Sequence, residues 1–419
     1  MADTLCVIGA GPAGLCAAIA AARSGIAVTV YDKNRDPGRK LRITGKGRCN
    51  VTNNCTEAEF IREVTKNERF LYGAISRFSP ADTMEMFESL GVPLKTERGR
   101  RVFPESDNAH DIANALAKYA SDLGVTTVRA EVKSVAHDGR AFTVTAERIF
   151  ADHTSRITQD FDAVVVATGG VSYPVTGSTG DGHRIARSFG LGVTDLIPSL
   201  VPVVCADDTA QMMGLSLKNV KLTVTDKAGK TVFAEQGEMM FTHFGVTGPL
   251  VLSASAHMRP DPSGYKMSVD LKPALDAQTL DRRITSDFGK NLNRDLVNSL
   301  GALLPSSIIE ETVRRSGIDP HKKCQQITKA ERLSLGSVIK DFSLTPTAFC
   351  PISEAIVTSG GVDVRELSPK TMMAKSVPGL FFAGEVIDVD AYTGGYNLQI
   401  AFATGMAAGE SAAEFIFNK

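Results

Sequence analysis

The stretch Gly9-Ala10-Gly11-Pro12-Ala13-Gly14 lies between an apolar run, Thr4–Ile8, and an alanine-rich segment, and an acid, Asp32, closes the apolar run that comes next. That spacing suits a dinucleotide. Gly9 permits a tight turn, Gly11 lets backbone N–H groups reach a pyrophosphate, and Gly14 allows a helix to pack closely on a strand. The helix N-terminus adds partial positive charge, and Asp32 is placed to accept a hydrogen bond from a ribose hydroxyl. Further along, GRKLRITGKGRCNVTNN (Gly38–Asn54) carries Arg39, Lys40, Arg42, Lys46 and Arg48 with no acidic residue. The whole chain balances 46 basic against 47 acidic residues, so this charge acts locally and gives no global attraction to nucleic acid or membrane.

Holding three glycines in those roles requires a βαβ unit: a strand over Thr4–Ile8, a helix from about Pro12 to Ser24 and a strand over Ala27–Tyr31. The fingerprint suits NAD and FAD equally, because both present an adenosine ribose and a pyrophosphate. Two distant segments favour the flavin. In FDAVVVATGGVSYPVTGSTGDG a buried strand, Ala163–Ala167, runs into Thr168-Gly169-Gly170, where backbone must lie close to a neighbour. In GLFFAGEVIDVDAYTGGYNLQIAFATG a strand, Leu380–Ala383, ends at Gly384-Glu385, and a glycine loop leads into a long helix from about Asn397. Such a helix N-terminus stabilises the negative charge of a reduced flavin.

The motifs GAGPAG, GRKLRITGKGRCNVTNN, ATGGVSYPVTGSTGDG, MMFTHFGVTGP, VTSGGV and GLFFAGEVIDVDAYTGGYNLQIAFATG follow one another over nearly the whole chain. Together they resemble the BaiN/RdsA-like (YhiN-type, aminoacetone oxidase-related) FAD-dependent oxidoreductase family. Two departures are Asp32, where many relatives carry Glu, and Ala391-Tyr392, where a glycine is common. The resemblance implies an α/β protein: a Rossmann-type FAD-binding domain of the glutathione reductase-like class with an inserted β-barrel plus helical domain. Residues 1–195 and 345–419 are expected to form the FAD-binding domain and 196–344 the insert, with the barrel over about 196–272 and helices over about 273–335. The expected cofactor-binding set is Gly9, Ala10, Gly11, Pro12, Ala13, Gly14, Asp32, Lys33, Arg39, Lys40, Gly45, Arg48, Cys49, Asn50, Val132, Ala167, Thr168, Gly169, Gly384, Glu385, Asp388, Gly395, Asn397, Leu398 and Gln399. Arg39, Lys40 and Arg48 are the cations expected to offset the diphosphate or a reduced flavin's charge.

Between the motifs, helical patterns cover about 57–77, 80–90 and 109–123, and strands run from Val125 to Ala167 with a polar break near Ala151–Gln159. In the insert, short strands are expected at about 200–205, 220–225, 231–235 and 265–271, then helices over about 278–335. The basic run itself lacks a helical pattern.

Seven scattered cysteines form no disulfide framework and suit a reducing, cytoplasmic setting. Cys49 and Cys55 occupy the region where some disulfide oxidoreductases place a redox pair, but five residues separate them rather than four, so Cys49 reads as a packed thiol. No second dinucleotide fingerprint appears, so NAD(P)H is expected as a transient reductant without its own domain. Metal, hydrolase and NTPase motifs are absent from the sequence, as are an export signal and an uninterrupted membrane span. His243 is the first acid–base candidate, since imidazole titrates near neutrality, with Tyr392 and Tyr396 as phenolic alternatives. The expected activity is NAD(P)H-driven reduction of an activated C=C bond, in an enone-like small molecule or in uridine of rRNA. The alternatives are an FAD-dependent oxidase of a small amine such as aminoacetone, and a non-catalytic FAD-bound RNA-binding module.

Overall fold

The computed structural model describes residues 3–419, which divide into two compact units. The first comprises the described residues up to Ser199 together with Ile352–Lys419, and the second comprises Leu200–Pro351.

The first unit is built on a seven-stranded sheet in the order 380–382, 163–166, 4–8, 27–32, 126–137, 142–149, 154–161. Its first five strands are parallel, and the last three form an antiparallel meander. Thr4–Ile8 and Ala163–Val166 are almost continuously apolar because these parallel strands are buried on both faces. From Thr4–Ile8 the chain first builds outward on one side and later returns to the other, through Ala163–Val166. Ile8 is in register with both Tyr31 and Val166, so the carboxyl ends of these strands form a shared crevice. Ligands bind at such a switch point.

Helix Pro12–Arg23 starts at the turn after the first strand, and the 22-residue helix Tyr396–Phe417 lies against it. Two glycines allow the approach: a Cβ at Gly405 would come 2.3 Å from the Ala13 carbonyl oxygen, and one at Gly409 would come 2.2 Å from that of Ala17. Both partners advance by one helical turn in the same direction, so the helices run parallel.

Three local expectations are corrected. The helix expected over 57–77 is two, Glu57–Arg62 and Glu68–Arg77, separated by an extended Val64–Lys66 that pairs with Asp390–Ala391. The branched Val64 and Thr65 and the backbone ladder outweigh local helical preference there. The polar break near 151–159 is largely strand, Thr154–Phe161, whose first seven residues are exposed or half-buried. Cross-strand pairs such as Thr143–Asp160 hold it without an apolar face to announce it. The basic run contains a short helix, Arg39–Ile43, entered from a left-handed Gly38.

The second unit is a seven-stranded antiparallel sheet in the order 342–344, 266–270, 216–225, 231–241, 245–247, 203–205, 346–349. Its two edge strands are consecutive in the chain, joined by Thr345 alone, so the sheet curls until its edges meet at that corner, which makes the barrel. Helices Ala277–Gly289, Ser306–Ser316 and Lys329–Lys340 share its apolar core, which includes Leu280, Val313, Ile339 and Phe342. The last helix begins in a Thr328–Glu331 capping box and runs beyond the expected 335.

Candidate flavin site

The three glycines of the turn do different work. Gly9 has φ +104°, and a Cβ there would lie 2.5 Å from the Ala167 carbonyl oxygen. At Gly14 a Cβ would lie 1.8 Å from the Gly9 oxygen, and at Gly11 it would meet nothing within 4 Å. Gly9 and Gly14 are therefore needed for packing, whereas Gly11 borders open space. The helix that follows has Pro12 at its start, no side-chain cap and no acid in its first turn, so its positive end faces outward uncompensated.

Asp32 is already employed by the turn. Its Oδ2 accepts from the Ala10 N–H (2.6 Å) and its Oδ1 from the Asn34 N–H (2.7 Å). Each carboxylate oxygen keeps a second acceptor position, so a ribose contact is compatible with this tie. Lys33 donates to Thr179 (2.5 Å) and to Asp181 (2.7 Å), and Arg184 reaches the Val132 carbonyl (3.4 Å). Thr168 accepts the Gly182 N–H (3.0 Å). The Gly169 site is tight, with a Cβ 3.1 Å from Ser178 Oγ.

The basic run separates by partner. Arg48 is held by Glu97 and by Asp107 (2.8 Å from Nε) and lies over the Phe103 ring at 4.2 Å. The Arg48 guanidinium in turn holds the Glu97 carboxyl below its ordinary range, while Lys95, followed by Arg48, does so for Asp107. Arg42 engages His110, Asn114 and the Pro37 carbonyl, and the exposed Arg39 reaches Asn34 (3.2 Å). Lys40 turns inward to Glu385 (2.7 Å) and Ser172 (2.7 Å). A Cβ at Gly45 would lie 3.2 Å from the Asn50 nitrogen, and Asn50 Oδ1 is buried with no hydrogen-bond partner among the described residues. A buried acceptor left open is costly unless a ligand fills it.

At the C-terminal end, Gly384 (φ +77°) donates its N–H to Thr404 Oγ1 (2.9 Å) and packs against Ala13. Asp388 is buried and pairs with Lys66 at 2.7 Å. Asn397 clamps the loop by accepting from the Ala391 N–H (3.0 Å) and donating to its carbonyl (2.8 Å). Gln399 accepts from Thr52 and Thr83 and donates to the Phe78 carbonyl, while Leu398 packs on the core. Gly395 (φ +98°) has no room for a side chain beside Thr52 and begins a helix with neither a side-chain cap nor an acid in its first turn. The pairing of Gly405 with Ala13 sets the stagger of the two helices: Tyr396 starts about 12 Å ahead of Pro12 at 1.5 Å per residue. Two parallel, uncapped helix starts at that separation fit an extended ligand with negative charge at two places, a diphosphate and a reduced ring system. The residues present therefore fit FAD.

The sequence profile of the HI0933-like protein Rossmann domain matches residues 3–411. The chain belongs to this family. It is 32% identical over 409 residues to a ribosomal RNA dihydrouridine synthase of Escherichia coli K12, covering 96% of each chain. It is 30% identical over 418 residues to a 3-dehydro-bile acid delta(4,6)-reductase of Clostridium scindens, covering 97% of this chain and 98% of that one. Among solved structures, a 3-ketosteroid delta1-dehydrogenase of Sterolibacterium denitrificans superposes with a TM-score of 0.52 at 13% identity, each chain being fully covered, which is a likeness of fold. This HI0933-like protein is a flavin-dependent oxidoreductase with a Rossmann-type FAD-binding unit.

In the HI0933-like chain Cys49, in the basic run, and Cys55, just after it, are unlike a redox pair. Cys49 is fully buried, and burial pushes its thiol up to about 12 against the smaller opposing effect of a hydrogen bond with Thr44. Burial, then the nearby Glu59, pushes Cys55 to about 11. Neither is a thiolate near neutral pH.

Tyr392 donates its N–H to the Glu63 carbonyl (3.0 Å) at the loop before the helix. His243 lies in the second unit, exposed in the turn between Thr231–Phe241 and Gly245–Thr247. A cleft of about 380 Å³ opens beside the helix start and is lined by Asn53, Cys55, Arg62, Glu63, Arg100 and Tyr396, among others. Burial, then Glu63, raises the Tyr396 hydroxyl above its ordinary range, so it remains a proton donor through the neutral range.

Sequence reasoning missed three features. Ser172 and Thr358 lie inside quoted motifs whose glycines drew the attention, yet both bond Glu385. The third is the hairpin tip Arg98-Gly99-Arg100-Arg101, whose charge pattern was readable but whose place was not: Asn53 Nδ2 donates both to the Gly99 carbonyl (3.1 Å) and to the Gly394 carbonyl (3.2 Å). Among the described residues no helix is long and apolar enough to cross a membrane.

Proposed function

We propose that this protein takes reducing equivalents from NAD(P)H onto FAD and delivers them to an electron-poor C=C bond conjugated to a carbonyl, with uridine of rRNA as the substrate. The observation that carries the reading is the full-length similarity to relatives whose names, a dihydrouridine synthase and a delta(4,6)-reductase, both describe saturation of such a bond. The flavin supplies hydride transfer when bound. The chain's part would be to hold it, with Gly11 and the first helix start toward the diphosphate, Asp32 toward the ribose, and Asn50 and the Tyr396–Phe417 helix start toward the ring. Saturating a conjugated bond leaves an enolate-like charge that needs a proton, and the Tyr396 hydroxyl, kept protonated beside the cleft, is the donor within the first unit.

The basic tip supports RNA over a free small molecule. Arg98 and Arg101 are exposed and flank Gly99 and Arg100, which line the cleft; Arg101 Nε donates to the Arg98 carbonyl (3.1 Å), and Arg100 is paired to Glu59 at 2.7 Å. Two guanidiniums next to a substrate cleft suit RNA phosphates. NAD(P)H binding, the substrate and a cytoplasmic location are parts of this one reading.

The test is anaerobic mixing of the holoprotein with NADH or NADPH, followed by addition of a uridine-containing rRNA fragment, a steroid enone or oxygen. Pyridine nucleotide is expected to bleach the flavin, and the rRNA fragment to restore its colour faster than enone or oxygen. If small amines reduce the flavin, NAD(P)H does not, and oxygen is the fastest acceptor, the protein is an oxidase and the reading fails.

A further inference from the structure

Thr52–Asn53 is a two-residue strand held from two sides: its backbone pairs with Arg101 and Val102, and Thr52 lies directly against Gly395 at the start of the last helix. Asn53 is 2% exposed and still lines the cleft. Its Nδ2 spends both N–H groups on the protein, one on the Gly99 carbonyl (3.1 Å) and one on the Gly394 carbonyl (3.2 Å). Its Oδ1 is not among the buried atoms closed off without a partner, and no described group donates to it. Turning the amide over would set that oxygen against two carbonyl oxygens, so the orientation is fixed and the cleft meets an acceptor.

The neighbours of this acceptor are donors. A Cβ at Gly394 would lie 3.0 Å from the Tyr396 ring and 3.7 Å from Asn53 Nδ2, so Tyr396 and Asn53 flank one glycine, and both line the cleft. Around them stand the Tyr396 hydroxyl, the Arg62 guanidinium and the N–H groups that Arg100 keeps after its Nη1 pairs with Glu59 (2.7 Å). Glu59 Oε2 is turned to its own helix start, where it also accepts from the Thr56 N–H (2.9 Å) and hydroxyl (3.0 Å). One fixed acceptor among donors complements an imide, in which an N–H lies between two carbonyls. Uracil has that edge at N3–H. Cytosine offers a bare ring nitrogen there, which is a second acceptor, and a steroid enone offers no N–H.

We propose that Asn53 selects the substrate base, its Oδ1 accepting the N3–H of uracil and so admitting uridine over cytidine and over carbonyl compounds that lack an N–H. The assignment rests on the reading of uridine as substrate and adds to it the group that recognises the base. Asn53 is a specificity residue, and no bond forms or breaks at it. A substrate without the imide N–H leaves the buried amide oxygen unfilled and is rejected for that reason, since a site built to bond an N–H discriminates strongly against an analogue lacking it. The same contact holds the base next to Tyr396, the proton donor of that reading.

The experiment follows reoxidation of the photoreduced holoprotein under anaerobic conditions, in the wild type and in Asn53→Ala, so the result does not depend on NAD(P)H. Three acceptors are compared: a uridine-containing rRNA fragment, the same fragment carrying N3-methyluridine at the position where mass spectrometry locates dihydrouridine, and a steroid enone. Methylation is expected to slow the wild type about 30-fold, the loss of one hydrogen bond to a buried acceptor. In Asn53→Ala the unmodified fragment should slow by a similar factor, the two fragments should then differ by less than about threefold, and the enone should react as in the wild type. The assignment is overturned if the variant still prefers the unmethylated fragment as strongly, or if it loses fragment and enone alike, which would make Asn53 a brace for the fold. Should Asn53→Ala not retain flavin, the wild type decides alone: an effect of methylation below about threefold overturns the assignment and one near 30-fold upholds it. A wild type that ignores the unmodified fragment defeats the uridine reading itself, and this assignment with it; where the fragment is reduced, only the role of Asn53 is at stake.

Discussion

Gly11 and Gly14, three residues apart, should fail in opposite ways when given a side chain. Gly11 has φ −76° and ψ −179°, a backbone any residue adopts, and a Cβ there meets nothing within 4 Å. Gly11→Val should therefore leave the apoprotein's stability within about 0.5 kcal/mol of the wild type. Its branched side chain projects into the space where a diphosphate would approach the helix start. Hydrogen bonds to charged groups contribute about 1.5–3 kcal/mol each, so losing one or two costs about 3 kcal/mol, or about 100-fold in FAD affinity. Gly14→Ala is the contrast. Its Cβ would lie 1.8 Å from the Gly9 backbone oxygen, and backbone does not rotate away. Helix and strand must separate, at a cost of about 1–3 kcal/mol or more. Titrating apoprotein with FAD by fluorescence quenching, with thermal melts in parallel, separates the two effects. Unchanged FAD affinity in Gly11→Val, or a loss of apoprotein stability in it as large as that of Gly14→Ala, would refute this division of labour.

Cys55→Ser should keep turnover and flavin content, since a thiol pushed to about 11 supplies no thiolate; an optical titration showing a thiolate–flavin band below pH 8 would contradict this. Arg48→Ala is expected to lower the melting temperature modestly and leave FAD affinity unchanged, because its partners are Glu97, Asp107 and Phe103; an affinity loss beyond about threefold would return Arg48 to the cofactor. Glu385 has a lowered folded-state pKa, so its contribution to stability is fully present above the ordinary carboxylate range and is lost as pH falls through the lower folded value. In Glu385→Gln the acid limb of a melting temperature–pH curve should accordingly be flatter than in the wild type. Reversing Arg98 and Arg101 to Glu should weaken binding of an rRNA fragment and reduce its salt dependence by about one to two units of slope, while reduction of a small enone is untouched; equal losses on both substrates would mean that the tip acts on the fold.

The nucleotide half-site was legible in the sequence because it is local. The strand Thr4–Ile8, the glycine turn, the helix from Pro12 and the acid at position 32 lie in one continuous stretch, and Gly14 answers to a steric demand inside it, from the Gly9 carbonyl. The C-terminal helix start was legible for a similar reason, being a glycine pair followed by an uninterrupted helical pattern. The strand Thr154–Phe161 was not, because an exposed strand shows no apolar alternation, and neither was the break at Val64–Lys66, which depends on a ladder to residues 390–391.

Which partner each cation of the basic run takes was decided by tertiary structure alone. Arg39, Lys40 and Arg48 are close in sequence and alike in charge. Their roles part only when the fold brings Glu97 and Asp107 to Arg48, leaves Arg39 exposed beside Asn34, and carries Glu385 to Lys40. A charge acts through the distance to its counter-charge, and that distance, between residues hundreds of positions apart, is set by how the chain packs.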